Sequence, residues 1–338
     1  MDKEFVRRKI ISYIASEEIK RASANMRDMK TVLILGGYGF LGTNIMKYVD
    51  DHLRQHYRFI VFDKFEKHMG GVEFDCVEKT YAGDFADKEL LESIFRDNKI
   101  DLVVHSLSTT VPVDSMNARY DVESNLLPTL DVLALMVKYV VKDIVFISSG
   151  GAVYGTRDKK PHLESDAVYP ISSYGTVKVA TEKYMMQYGQ LYGLRPLIVR
   201  LSNPYGAYHY SMKQGVINIA ITKALRGETF QIWGEGNDNK DYIYVEDFVD
   251  ILFRLLDKRI SNQVVNIGSG MLLSVNEIAD AVRAVVSTFK ATHTDAQQFD
   301  ATHFELNTDK LVSLIGGYNF TSFQDGLRKT LEWTKQSV

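Results

Sequence analysis

The stretch VLILGGYGFLG at residues 32–42 decides the fold of this 338-residue chain. An apolar run of strand length ends at Leu35. Gly36, Gly39 and Gly42 follow at spacing G-x-x-G-x-x-G, ahead of a helical pattern. The first glycine permits a tight turn, the second lets backbone approach a pyrophosphate, and the third lets helix pack closely on strand. The N–H groups that open the helix, those of Phe40 and Leu41 among them, offer the positive dipole end to phosphates. Any turn can use glycine; three of them between a strand and a helix point to a dinucleotide site.

The next apolar run, FIVFD, ends in Asp63, 21 residues after Gly42. A carboxylate there accepts hydrogen bonds from adenosine ribose hydroxyls and repels a 2′-phosphate, which favours NAD over NADP. Lys64 and Lys67 nearby keep NADP open. Working outward, strand-length apolar runs occur at 31–35, 59–62, 102–105, 144–148 and 197–201, separated by helical patterns at 41–53, 88–96, 116–141 and 172–192. This alternation predicts an α/β fold, a Rossmann-type doubly wound parallel sheet with helices on both faces. After about residue 203 the pattern loosens into short strands at 231–233 and 264–267 among helices at 212–226, 245–256, 275–285 and 323–335. The expected organisation is an N-terminal helical extension at 1–30, a dinucleotide-binding domain at 31–203, and a smaller mixed α/β substrate lobe at 204–338, with some later segments returning to the first domain. Residues 3–22 read as an amphipathic helix that packs on the main domain or on another subunit; acidic residues interrupt its basic face, which disfavours a membrane-surface role.

Composition excludes several classes. Net charge is −3, from 40 basic and 43 acidic residues, with no basic tract to follow a phosphate backbone, so nucleic acid is not an expected partner. Cys76 is the only cysteine, which rules out an intrachain disulfide and argues against a cysteine-based metal site. No apolar stretch approaches the ~20 residues of a membrane span, and the N-terminus is too charged for a signal peptide. A cytoplasmic protein without a metal is expected.

A second motif is Tyr174-Gly-Thr-Val-Lys178 at the start of SSYGTVKVATEKY. Positions i and i+4 share a helix face, so phenol and ammonium can enter one site, where the ammonium and an oxidised nicotinamide favour phenolate. Such a pair is common by chance. Its place, about 24 residues past the strand end that carries Ser148 and Ser149, makes it specific.

These residues, with GDFAD at 83–87, Asn125 in ESNLLPT, SSGGAVYG at 148–155, RLSNPYGAY at 200–208, KDYIYVEDFVD at 240–250 and NIGSG at 266–270, resemble the extended short-chain dehydrogenases/reductases of the nucleotide-sugar epimerase/dehydratase branch. The resemblance spans residue 31 to about 335. It implies NAD as cofactor, with Asp84 and Phe85 at the adenine, and Asn125 and Ser148 near the cofactor. For the substrate it implies Asn203 at a nucleotide phosphate, Trp233 in the strand along the base, and Asp300 at the nucleotide ribose. Lys240 stands where relatives carry an arginine for the pyrophosphate, keeping the charge and losing the bidentate fork. Gln297 likewise replaces an arginine. Relatives with an S/T-G-G-x-x-Y-G loop use the hydroxyl before the glycines, making Ser149 the catalytic candidate and Ser148 the second; a strand-end serine that only caps backbone is the bland reading. His105 and His209 read as structural. Relatives also pair through helices corresponding to 116–141 and 172–192, which implies a homodimer with Met136, Val140, Met185 and Tyr188 or Tyr192 in contact.

Residue types then discriminate among the branch's reactions. A 4,6-dehydratase resembling the family type needs an Asp-Glu pair after the catalytic hydroxyl, where this chain has Gly150 and Gly151; a decarboxylating relative has a glutamate where Ala152 stands. What remains, Ser149, Tyr174, Lys178 and NAD, suffices for hydride removal and return at one carbon. The expected activity is C4 epimerisation of a nucleotide-diphosphate hexose, a UDP-sugar by expectation, although the sequence does not separate UDP from dTDP or GDP. An NADPH-dependent reductase of a 4-keto-deoxysugar and a non-catalytic NAD(H)-sensing regulator are the alternatives.

Overall fold

A computed structural model describes residues 29–115, 117–155, 160–295 and 303–337. The expected helix at 3–22, together with Gln297 and Asp300, lies outside them.

Seven parallel strands form the main sheet: β1 (Lys30–Leu35), β2 (Tyr57–Asp63), β3 (Val77–Ala82), β4 (Leu102–His105), β5 (Asp143–Ser149), β6 (Arg195–Leu201) and β10 (Gln263–Ile267). Their spatial order is β3-β2-β1-β4-β5-β6-β10. Strand order reverses between β1 and β4, which open-sheet folds use as the ligand crevice. Alternation along β1 feeds both faces. Val32 and Ile34 pack with Ile45, Met46 and helix Val245–Asp257 on one side; Leu33 and Leu35 pack with Leu91, Phe95, Val132 and Met185 on the other. Burial on both faces explains why these strands read as continuous apolar runs. The exception is β3, with sequence VEKTYA at the sheet edge, whose partly exposed, polar pattern hid it from a reading based on hydrophobicity.

The smaller lobe is mixed. Here β9 (Asn239–Tyr244) pairs with β7 (Asn203–Tyr205), β11 (Met271–Leu273) and β13 (His303–Phe304), while β8 (Thr229–Trp233) pairs with β12 (Lys290–Thr294). Its own core gathers Tyr205, Ile217, Phe230, Ile278 and Leu327. The segment 204–338 is therefore shared: β10 and the helix Val245–Asp257 complete the large sheet and its cover, and the rest builds the lobe.

Two expected helices are interrupted. Helix Phe40–Tyr48 passes into a π-helical turn at Val49–Leu53, and the long helix expected over 116–141 consists of Ala118–Asp121, a π-helical turn at Val122–Leu126, and Leu127–Lys138. Wider π turns insert a residue and are frequent at functional sites. Val140, expected within that helix, instead takes φ 59 after its end.

Candidate active site

The cofactor end is made of backbone. Gly36 adopts φ +79, and its N–H donates to Phe62 O at 2.8 Å, tying the β1 turn to the end of β2. A Cβ on Gly42 would stand 2.3 Å from Gly36 O and 2.6 Å from Gly37 O, so the helix reaches the turn only with glycine there. Asp63 lies beside this turn, accepting from Tyr38 N at 2.9 Å and from Phe65 N at 3.3 Å. Burial pushes its carboxyl above the usual range, against those N–H groups, which favour the carboxylate. Asp84 caps its own turn through Ala86 N at 2.9 Å, and Phe85 is buried between Phe62 and His105.

One cleft of about 1360 Å³ joins these groups to the other end of the site. Its lining includes Gly36, Gly39, Phe40, Leu41, Gly42, Asp63, Asp84 and Phe85 at one end and Ser148, Ser149, Tyr174 and Lys178 in the middle. Asn203, Trp233 and Lys240 line the lobe side. The glycine turn, the Asp63 carboxylate beside it and a cleft of this volume fit a dinucleotide. Asn125 sits behind the lining: its Oδ1 accepts from Thr109 N at 2.8 Å and its Nδ2 donates to Thr109 Oγ1 at 2.7 Å, so it fastens the loop after β4 that lines the cleft.

The two serines are separated by their partners. Ser148 is buried and donates to Glu182 Oε1 at 2.6 Å; Glu182 in turn forms a buried ion pair with Arg200 at 2.7 Å. Ser149 lines the cleft beside Tyr174, near enough that its hydroxyl favours the phenolate. Burial pushes Tyr174 up to about 12, and the Ser149 hydroxyl works in the opposite direction. Lys178 Nζ donates to Ile147 O at 3.1 Å and stands 5.6 Å from the Tyr174 ring centroid. Burial pulls this ammonium down to about 8, with Glu182 opposing. The expected lowering of the phenol rests on Lys178 together with an oxidised nicotinamide; burial works against it, so those charges must offset the desolvation of the phenolate.

The histidines are held neutral. Burial, then Lys178, pulls His105 down to about 3, and its Nε2 meets Thr129 Oγ1 at 2.9 Å. Burial brings His209 to about 4, its ring against Phe40. Gly150 abuts Phe304, to whose Cζ a Cβ would come within 2.9 Å, so a side chain at 150 would displace this packing, whereas a Cβ on Gly151 would meet Phe304 only at 3.9 Å. Among the described residues, no three His, Cys, Asp or Glu side chains group to hold a metal, and no helix is long and apolar enough to cross a membrane.

Residues 32–268 match the model of the NAD dependent epimerase/dehydratase family. The chain belongs to this family. NAD is accordingly its cofactor, in agreement with the turn at 36–42. A putative UDP-glucose 4-epimerase of Methanocaldococcus jannaschii is 32% identical over 313 residues, covering 90% of this chain and 99% of the relative. The dTDP-4-dehydro-6-deoxyglucose reductase of Escherichia coli is 30% identical over 314 residues, covering 89% and 96%. Among solved structures, the UDP-glucose 4-epimerase of Thermotoga maritima with UDP-glucose superposes with a TM-score of 0.84 at 28% identity, over 90% of this chain and 99% of that one. The relatives support a nucleotide-sugar epimerase of the extended short-chain dehydrogenase/reductase type.

Sequence reasoning missed the buried partners of the site: Glu182, Arg200 and Tyr154, and the pair Ser115 and Asp121. For Arg200 a signal existed. A cation inside the apolar strand RPLIVRL must find a buried partner. Two expected subunit contacts also change: Met136 and Met185 are 0% exposed in the core, whereas Val140 and Tyr192 are exposed, as are Tyr184 and Leu191.

Proposed function

We propose that the protein interconverts C4 epimers of a UDP-hexose through a transient 4-keto sugar. The observation that carries the reading is the trio Ser149, Tyr174 and Lys178 beside two glycines where a dehydratase needs acid and base. Tyr174 takes the proton of the sugar 4-hydroxyl, Ser149 hydrogen-bonds the same oxygen, and Lys178 holds the ribose next to the nicotinamide. Bound NAD supplies the hydride acceptor and returns the same hydride, and its ring charge favours the phenolate. Asn203 and Lys240 hold the diphosphate and Trp233 lies along the base, so the nucleotide stays anchored while the sugar turns; Asp300 is assigned to the nucleotide ribose. A homodimer through the exposed face of helices Leu127–Lys138 and Ser173–Tyr192 accompanies this reading.

The test is turnover of UDP-hexoses carrying deuterium at C4. Epimers should form with the deuterium retained and no reduced cofactor accumulating, and Tyr174→Phe should lower the rate at least ~100-fold with NAD still bound. A 4-keto-6-deoxy product, or near-wild-type turnover by Tyr174→Phe, overturns the reading. The E. coli relative supports a second one, reduction of a 4-keto-deoxysugar, marked by stoichiometric consumption of added reduced cofactor.

A further inference from the structure

The helix Ser173–Tyr192 opens with Ser172, whose side chain accepts from Gly175 N at 3.1 Å. That satisfies one of the N–H groups a helix start leaves without an internal partner. The N–H of Tyr174 itself is satisfied from elsewhere in the chain. It donates to Ser115 Oγ at 2.6 Å, and the same hydroxyl donates to Asp121 Oδ2 at 2.5 Å. Ser115 is 8% exposed and Asp121 1%. Among the described residues, Asp121 Oδ1 has no hydrogen-bond partner. A buried carboxylate oxygen without a partner costs stability, so this carboxyl is held against a penalty that its bond to Ser115 only partly offsets.

Asp121 ends the short helix before the π-helical turn Val122–Leu126. Four residues on, Asn125 donates to Asp121 O at 3.3 Å and fastens Thr109 by both its N–H and its hydroxyl. Asn125 in the turn thus grips the cofactor-side loop, and Asp121 just before it reaches the start of the helix that bears Tyr174 through Ser115.

We infer that Asp121, acting through Ser115, is a positioning residue that sets the Tyr174 phenol against Ser149 and the cofactor end of the cleft. The inference rests on Tyr174 being the base of the proposed reaction. Holding a residue's own N–H fixes where its Cα–Cβ bond points, and so where each rotamer of its side chain lies. A tilt of this turn is carried to the phenolic oxygen by a rigid ring, and displacement of about 1 Å can cost on the order of 10²-fold in rate. The charge of Asp121 makes the serine a stronger acceptor for Tyr174 N–H, since a hydroxyl that donates to a carboxylate is polarised.

The experiment uses the full-length, NAD-loaded protein with Ser115→Ala, Ser115→Thr and Asp121→Asn. With the UDP-hexose that turns over, Ser115→Ala and Asp121→Asn should lower kcat at least about tenfold, while KM and bound NAD stay within about twofold. Ser115→Thr, which keeps the hydroxyl, should recover most of the rate. A second readout needs no substrate: phenolate absorbance of Tyr174, with Tyr174→Phe as the blank. Its titration should move upward in Ser115→Ala as the phenol leaves the Ser149 hydroxyl that favours its phenolate, and stay in place in Ser115→Thr. Unchanged kcat and titration in Ser115→Ala overturn the inference, as does a rate loss matched by loss of bound NAD or of folded protein in both Ser115→Ala and Asp121→Asn. If no UDP-hexose is turned over by the wild type, the functional reading fails, and the Tyr174 titration still decides the positioning role.

Discussion

The turn at Gly36–Gly42 and the seam around Arg200 both secure strand ends beneath the cleft, by opposite means. The turn uses backbone alone: a left-handed glycine, a bond from Gly36 N to Phe62 O, and a helix that approaches because Gly42 has no Cβ. The seam is led by side chains. Arg200 on β6 binds Glu182 on the helix Ser173–Tyr192 and reaches the Tyr154 hydroxyl at 2.9 Å. Tyr154 donates to Asn266 on β10 at 2.8 Å, and Asn266 donates to His162 O and Asn307 O. The turn lies within seven consecutive positions. The seam draws on segments from 148 to 307, and it ties the lobe to the sheet at the strand that carries Ser148 and Ser149. A local device can be read from spacing; a distributed one appears only when the chain closes.

The largest effect should come from breaking the seam. Arg200→Met leaves Glu182 buried without its cation, and removing one partner of a buried pair typically costs about 3–5 kcal/mol. Urea unfolding should show that loss. A change under about 1 kcal/mol would mean that the neighbouring hydroxyls, not the ion pair, hold the seam.

Breaking the turn should cost less stability and more function. In Gly42→Ala the new methyl meets two carbonyl oxygens, neither of them a flexible group, and overpacking of this kind costs about 1–3 kcal/mol. The helix must back away, so the protein should purify without stoichiometric NAD. Retention of full NAD at unchanged stability would show that the close approach of helix and turn is dispensable.

The smallest effect tests where turn and side chain meet. Asp63→Asn keeps an oxygen to accept from Tyr38 N and removes the charge facing the ribose. Preference for NAD over NADP, measured by titration of the apo-protein, should narrow by about tenfold, or about 1.4 kcal/mol. An unchanged ratio would place the discrimination in another residue.

The site was legible in proportion to how locally it is built. Gly36, Gly39, Gly42 and Asp63 fall at fixed offsets from apolar strands, and Tyr174 and Lys178 are one helical turn apart, so their grouping followed from period and spacing. The serines did not separate that way. Ser148 and Ser149 are chemically alike and both line the cleft, and only their partners, Glu182 for one and Tyr174 for the other, tell them apart. The polar edge strand β3 and the lobe strands β11 and β13 escaped for a related reason, although β8 was expected: half-exposed strands of two to six residues leave too little alternation to count.

By itself the sequence determined the parallel α/β class, the position of the dinucleotide turn and the Tyr174–Lys178 pair, because each depends on contacts between residues a few positions apart. Tertiary structure alone decided that burial pushes the Tyr174 phenol up, that Asn125 fastens a loop, that Met136 and Met185 belong to the core, and that Ser115 and Asp121 meet the start of the helix bearing Tyr174. Those outcomes depend on desolvation and on partners tens of residues away, and neither quantity exists until the chain has folded.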